Sequence, residues 1–196
     1  MQKKIILLFG CCLLSLFAQA QGFKGGGHIG LLVTQVDGDG HGGYKKPGLF
    51  AGLFTNYSFA NERMYLQFEL NYAQKGSRAM PVYRISLHQV EPTALFRWNF
   101  WKDNLFLETG LSFNILASAK EYGIQGLIPP NMGSNFYKFN VDLVGGVGYR
   151  FHEHWGGSIR CSYSTPTGTT NKLKKGRPVE GYMWNNCLLF RLFYQF

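Results

Sequence analysis

The sequence predicts an all-β protein, an eight-stranded, antiparallel, up-and-down transmembrane β-barrel. Three observations predict this fold. Alternation of apolar with polar or small residues recurs in eight segments, and no segment has the 3.6-residue periodicity of an amphipathic helix. The last segment ends on an aromatic residue, Phe196. A chain of 196 residues suffices for one such domain.

The first twenty residues have the features of a secretory signal peptide. Lys3 and Lys4 precede an apolar run from Ile5 to Phe17, and Ala18-Gln19-Ala20 is a small-residue cleavage site. The run is shorter than the about 20 apolar residues that cross a bilayer as a helix. We therefore predict a cleaved signal peptide over residues 1–20 and one barrel domain over residues 21–196.

The first four strands are predicted at Gly27–Val36, Pro47–Ser58, Arg63–Gly76 and about Arg84–Phe100. Strand three alternates most clearly. Apolar residues occupy the even positions from Met64 to Tyr72, while polar residues occupy the odd positions between them.

Pro92 interrupts the fourth strand. A closed barrel has no edge at which a missing N–H is tolerated, so we expect a β-bulge at this proline. The alternation before Pro92 could then be shifted by one residue.

The other four strands are predicted at Asn104–Ser118, Phe136–Phe151, Trp155–Thr165 and Trp184–Phe196. Between the eight strands, long and short connections alternate. The long loops are 37–46, the segment through Pro81, 119–135 and 166–183. This order is typical of membrane barrels with long extracellular loops and tight periplasmic turns.

Charged residues are predicted on the opposite strand faces from the apolar series. An eight-stranded barrel has an interior that side chains can fill, so we expect these residues to form a paired polar network that plugs the lumen. A narrow ion-conducting path is the alternative. A soluble ligand carrier would have the reverse arrangement, with an apolar lumen and a polar outside. The predicted lumen residues are Glu69, Lys75, Glu91, Arg97, Glu108, Lys138, Asp142, Arg150, Arg160 and Arg191.

The carboxyl-terminal strand carries an apolar or aromatic residue at every second position up to the end of the chain. This pattern resembles the signature by which the assembly machinery of the outer membrane recognises its barrels. The residues concerned are Leu188, Phe190, Leu192, Tyr194 and Phe196.

Several short motifs resemble the small outer-membrane β-barrel family described as porin-family or PorT-like. They are Pro47-Gly48-Leu49-Phe50-Ala51-Gly52, residues 69–76, Glu108-Thr109-Gly110, residues 145–149 and the closing Phe196. The resemblance implies the outer membrane of a Gram-negative bacterium. The family usually has Glu-Ile-Pro where this chain has Val90-Glu91-Pro92, which shifts the acid by one position.

No motif indicates catalysis, a cofactor or a metal. His152 and His154 lie in a predicted periplasmic turn, and Asp37-Gly38-Asp39-Gly40 lacks the glutamate that would complete a calcium loop. We therefore expect no enzyme activity. Cys161 and Cys187, the two cysteines outside the signal peptide, are predicted on opposite faces of neighbouring strands as free thiols.

The last long loop is basic and could bind the phosphates of lipopolysaccharide or another anionic partner. A solvated loop is the simpler interpretation. The residues are Lys172, Lys174, Lys175 and Arg177.

The sequence as a whole predicts a structural or interaction barrel that contacts membrane lipid, lipopolysaccharide and an unknown extracellular or periplasmic protein through its loops. A narrow porin-like channel for ions or small solutes and a component that assists protein secretion are the alternatives. The net charge of +9 does not indicate nucleic acid, because no nucleic-acid-binding motif accompanies it and the chain is exported.

Overall fold

The computed structural model describes residues 23–37, 43–59, 63–79, 83–100, 104–129, 135–165, 171–172 and 182–196. The predicted signal peptide lies outside them. No helix in the described part of the chain is long and apolar enough to cross a membrane. The strands are β1 (Phe23–Asp37), β2 (Lys46–Phe59), β3 (Met64–Ala79), β4 (Tyr83–Phe100), β5 (Leu105–Gly123), β6 (Gly126–Leu127), β7 (Asn135–Phe136), β8 (Phe139–Arg150), β9 (Trp155–Ser164), β10 (Asn171–Lys172) and β11 (Tyr182–Gln195).

The eight long strands close into a barrel. Each pairs antiparallel with the next in the order β1-β2-β3-β4-β5-β8-β9-β11, and β11 pairs back onto β1. The closing ladder runs from Gly26 opposite Gln195 to Asp37 opposite Trp184. The predicted fold class is therefore confirmed. We call the end at which β2–β3, β4–β5 and β8–β9 connect the turn end, and the opposite end the loop end.

The two faces of the wall have opposite chemistry. Along β3 the odd positions from Tyr65 to Asn71 are buried, whereas Leu66, Phe68 and Leu70 are exposed. On the outside, Ile29 is 64% exposed and Leu53 is 70% exposed, fractions that require an apolar surrounding for side chains of this size. The outer face thus forms an apolar belt around the barrel.

The wall is tallest at β3, β4 and β5. Only three residues separate Ala79 from Tyr83, so β3 and β4 form a hairpin that extends beyond the predicted ends of both strands. Strand β5 continues to Gly123 and folds back through β6, where an irregular loop over 119–135 was expected. The sequence prediction was wrong here because alternation no longer marks the strands beyond the apolar belt.

The register irregularity lies away from Pro92. The β4–β5 ladder shifts by one residue between His88 and Gln89, and Pro92 keeps its pairing with Leu70 on β3. Odd positions of β4 therefore face the lumen on both sides of Pro92, and the expected shift in β4 was wrong. The alternation changes in β5 instead, where Asn114 and Glu121 are both buried.

The sixth long strand starts later than predicted. Phe136 belongs to the two-residue strand β7, which pairs with β10, whereas β8 begins at Phe139. Strand β10 also pairs with the start of β11. Segments from two long loops therefore meet in a small sheet at the loop end.

Candidate functional site

A cluster of two arginines and two glutamates fills the middle of the lumen. Arg160 donates to Glu69 from Nη1 to Oε2 at 2.8 Å and from Nη2 to Oε1 at 2.7 Å. Arg160 also contacts Glu108 through Nε, and its Nη2 lies 3.0 Å from Glu108 Oε2. Arg191 Nη1 lies 2.8 Å from Glu69 Oε1. The four charges sum to zero, as a buried cluster requires.

Glycines beside these side chains make room for them. Gly146 on β8 lies opposite both Glu108 on β5 and Arg160 on β9. A Cβ at Gly146 would lie 2.8 Å from Cγ of Arg160. Gly30 occupies the same place opposite Arg191. Pairing a large charged residue with a glycine on the neighbouring strand therefore lets the cluster fit inside a narrow barrel.

Neutral polar groups form hydrogen bonds with further donors and acceptors of this cluster. Asn71 Nδ2 donates to Glu69 Oε2 at 3.0 Å, and Gln67 contacts the other oxygen of the same carboxylate. Ser158 Oγ accepts a hydrogen bond from Arg191 Nε at 2.9 Å. His28, stacked between two phenylalanine rings, is joined to Asn71 at 2.8 Å. The carboxylates are thus held in one geometry from several strands.

A second charged cluster lies towards the loop end. Lys75 Nζ lies 2.7 Å from Glu91 Oε1 and 2.8 Å from Asp142 Oδ2. Asn140 and Ser164 each donate to Asp142 Oδ1 at 2.9 Å. Lys46, itself buried, donates to the backbone carbonyl of Lys75 at 2.7 Å. With Lys46 included, this cluster is also neutral.

Arg97 is buried without a carboxylate partner among the described residues. Its guanidinium carbon lies 3.4 Å from the centroid of the Phe106 ring and 5.5 Å from that of Phe193. Its Nη1 is 3.5 Å from Gln67 Oε1, and Nε and Nη2 have no partner in the described structure. Aromatic faces therefore surround the guanidinium, and Glu108 lies opposite Arg97 in the β4–β5 ladder without forming an ion pair with it.

Apolar side chains form a cluster towards each end of the lumen. Phe54, Phe106 and Phe193 pack together near the turn end. Near the loop end, a cluster forms from Val36, Ile85 and Leu87, with Phe136 packed against it.

A cavity of about 30 Å³ lies between the two charged clusters. Lys75, Glu91 and Arg160 line it together with neutral side chains. This volume suits about two water molecules. Side chains of the two charged clusters therefore surround this small space in the middle of the lumen.

The sequence model of a family described as "Outer membrane protein beta-barrel domain" matches residues 17–164, about three quarters of the chain. The chain belongs to this outer-membrane β-barrel family. Its location is accordingly the outer membrane of a Gram-negative bacterium. No curated protein sequence matches the chain.

Solved structures of similar fold are small outer-membrane barrels. The attachment invasion locus protein Ail of Yersinia pestis is 14% identical, with a TM-score of 0.55, covering 88% of this chain and 98% of Ail. Neisserial surface protein A is 15% identical, with a TM-score of 0.48 and coverage of 90% and 98%. OprG from Pseudomonas aeruginosa is 13% identical, with a TM-score of 0.45 and coverage of 89% and 94%. At 14% identity the likeness to Ail concerns the fold alone.

Most of the predicted lumen residues of this outer-membrane barrel are inside it. Lys138 is not, because β8 begins at Phe139 and Lys138 is exposed before the strand. Arg150, the last residue of β8, is half-buried at the turn end and forms no ion pair with the described residues. The buried members are Glu69, Lys75, Glu91, Arg97, Glu108, Asp142, Arg160 and Arg191.

Among the described residues, the sequence analysis missed two buried charged residues of the lumen, Lys46 and Glu121. Lys46 precedes the predicted start of strand two, although its alternation with Gly48 would have placed it on the inner face. Glu121 lies in the part of β5 that was expected to be irregular, and it accepts a hydrogen bond from Tyr83 at 2.5 Å.

The remaining predicted residues lie on the outside or beyond the described chain. Phe190, Leu192 and Tyr194 are exposed on β11, Phe196 is exposed directly after it, and Leu188 is half-buried. Lys172 is described only by its backbone pairing in β10, and Lys174, Lys175 and Arg177 lie outside the described residues. No group of three or more potential metal ligands occurs among the described residues.

Proposed function

We propose that this protein is a non-conducting outer-membrane barrel that works through contacts made at its loop end. The observation that carries the proposal is the pair of charged clusters that cross the lumen. Ions would have to displace these two neutral clusters, and each buried ion pair is costly to break. The barrel then serves as a rigid mount for its loops.

The loop end has the features of a contact surface. Tyr44, which precedes β2, donates a hydrogen bond to Asn186 Oδ1 on β11 at 2.7 Å. Strands β7 and β10 join two further loops to each other. At the tip of the β5–β6 hairpin, Ile124 is 80% exposed and Leu127 is 60% exposed. These side chains lie beyond the apolar belt, where an exposed aliphatic pair favours a protein partner over lipid.

Conductance across a planar bilayer tests the closed lumen. The wild-type protein, refolded and shown to be inserted by vesicle flotation and a heat-dependent shift in gel mobility, should give no discrete current steps in KCl. The double variant R160A/R191A, which removes both arginines of the central cluster, provides the comparison. Steps from the wild type, with an ion selectivity that changes in R160A/R191A, would establish a channel and overturn the proposal.

Photo-cross-linking on intact cells tests the contact surface. A photoreactive amino acid at position 124 should form protein adducts, whereas the same group at position 53, on the apolar belt, should not. Adducts that persist when Leu127 is also replaced by Ser would argue against a specific apolar contact. An absence of adducts at position 124 would contradict the proposal that a protein partner binds at the loop end.

A further inference from the structure

Strands β3, β4 and β5 extend beyond the apolar belt, and this extension carries positive charge on its outer face. On β3, Ser77 is buried opposite the buried Ile85 of β4, so the next pair, Arg78 and Arg84, faces outward. On β5, Lys120 is exposed and lies opposite Ser86. We call Arg78, Arg84 and Lys120 the basic wall.

The geometry of the basic wall is unfavourable without an anion. Arg78 and Arg84 are directly opposite in the β3–β4 ladder, and like charges at such a position destabilise a sheet. The Nε of Arg78 is buried without a hydrogen-bond partner in the described structure. An oxyanion between the two guanidinium groups would remove the repulsion and accept their hydrogen bonds.

Carboxylates of the described chain do not neutralise the basic wall from outside. Glu69, Glu91, Glu108, Glu121 and Asp142 are buried within the barrel. Asp37 is on β1, which is separated from β3 by β2, and Glu153 is in a turn at the opposite end. Tyr122 contributes a ring whose centroid is 5.9 Å from the guanidinium carbon of Arg84. The wall thus combines cations, which bind phosphate, with one aromatic ring that contacts Arg84.

The height of the basic wall indicates the kind of anion. The apolar belt on β3 ends at Tyr72, and Arg78 follows six positions later. At about 3.3 Å per residue and a tilt of about 40°, Arg78 lies roughly 15 Å above the belt. The headgroup layer of a phospholipid bilayer extends only about 5–8 Å beyond the hydrocarbon. Phosphates carried on sugars at the membrane surface reach the basic wall more readily than phospholipid phosphates do.

We infer that the basic wall binds phosphate groups on the saccharide part of lipopolysaccharide in the surrounding outer leaflet. The ligand lies beside the barrel, so this site is separate from the loop tips and from the basic loop predicted in the sequence. Arg78 and Arg84 hold one phosphate between them, and Lys120 extends the site across β5. The inference does not depend on whether the lumen conducts.

Binding of fluorescent rough lipopolysaccharide that retains its phosphorylated core sugars tests this site. The folded protein is titrated in mixed micelles without divalent cations, and phosphatidylglycerol serves as the phospholipid competitor. The variant R78Q/R84Q should bind at least about tenfold more weakly, because two charge-assisted hydrogen-bonding groups are lost. The matched variant K24Q/R63Q removes two exposed cations at the turn end and should bind as the wild type does.

Three results would overturn the inference. Equal binding by R78Q/R84Q and the wild type would exclude the site. Equal weakening in K24Q/R63Q would mean that binding depends on the overall charge of the protein and not on the basic wall. Competition by phosphatidylglycerol as strong as by unlabelled lipopolysaccharide would assign the wall to phospholipid. A heat-dependent shift in gel mobility checks folding of each variant, and R78Q/R84Q should retain it because the substitution relieves repulsion.

Discussion

Glu69 and Arg160 form a bidentate ion pair across the lumen, with N–O distances of 2.8 and 2.7 Å. Glu69 is on β3 and Arg160 is on β9, and these strands are not neighbours in the barrel. The pair therefore connects opposite parts of the wall, which backbone hydrogen bonds cannot do.

Replacing Arg160 by Met should lower the free energy of unfolding by about 3–5 kcal/mol, because two buried carboxylates would lose their main partner. Urea unfolding in lipid vesicles, followed by tryptophan fluorescence, measures the change. The exposed Arg63 gives the control R63M, which should be within about 0.5 kcal/mol of the wild type. A loss below about 1 kcal/mol for R160M would contradict the central role of the pair.

Replacing Arg97 by Met should not destabilise the protein as replacing Arg160 does. Arg97 is as buried as Arg160 but has aromatic rings in place of a carboxylate. Removing a buried charge without breaking an ion pair should leave the free energy of unfolding within about 1 kcal/mol of the wild type, or raise it. The same urea titration measures it. A loss as large as that of R160M would show that a more distant carboxylate stabilises Arg97.

Gly48 and Gly145 should respond differently to alanine. A Cβ at Gly48 would lie 1.9 Å from the backbone oxygen of Gln74, whereas nothing lies within 4 Å of a Cβ at Gly145. Gly48→Ala should therefore cost about 1–3 kcal/mol or more through backbone displacement. Gly145→Ala should be neutral or stabilise by up to about 1 kcal/mol. Equal stability of the two variants in urea would disprove the close approach at Gly48.

The two cysteines should differ in reactivity. Cys161 is exposed on the outside of β9, and Cys187 is buried on the inside of β11. In detergent micelles N-ethylmaleimide should modify Cys161 in the folded protein and Cys187 only after unfolding, as read by mass spectrometry. The variant C161S should show no modification while folded. Rapid labelling of Cys187 in folded C161S would mean that the lumen is open to small solutes.

Strand faces within the apolar belt could be predicted from the sequence because lipid excludes charge from one face of each strand. On β3 this rule separates Leu70 from Glu69 without any knowledge of the neighbouring strands. Beyond Tyr72 the outside is no longer lipid, and Gln74 and Arg78 are as polar as Lys75 and Ser77. Apolar and polar residues no longer alternate there, so the sequence analysis did not predict how far β3, β4 and β5 extend beyond the apolar belt.

The pairing of charges inside the lumen could not be predicted in the same way. Which glutamate meets Arg160 depends on the stagger of non-neighbouring strands, which is a property of the closed barrel. The register shift at His88 and Gln89 likewise arises from the fit of β4 to β5. The sequence predicted a bulge at Pro92, but the pairing of Pro92 with Leu70 continues without one.

The ladder between β1 and β11 makes folding depend on the end of the chain. Ile29 pairs with Leu192, so the sheet closes only after almost the whole chain has been ordered, and the entropic cost of such a distant contact makes closure slow. Until then both edge strands have unpaired backbone groups that can add strands from other molecules. Aggregation during refolding should therefore come mainly from open sheets, and a chain without its last strand should remain in that state.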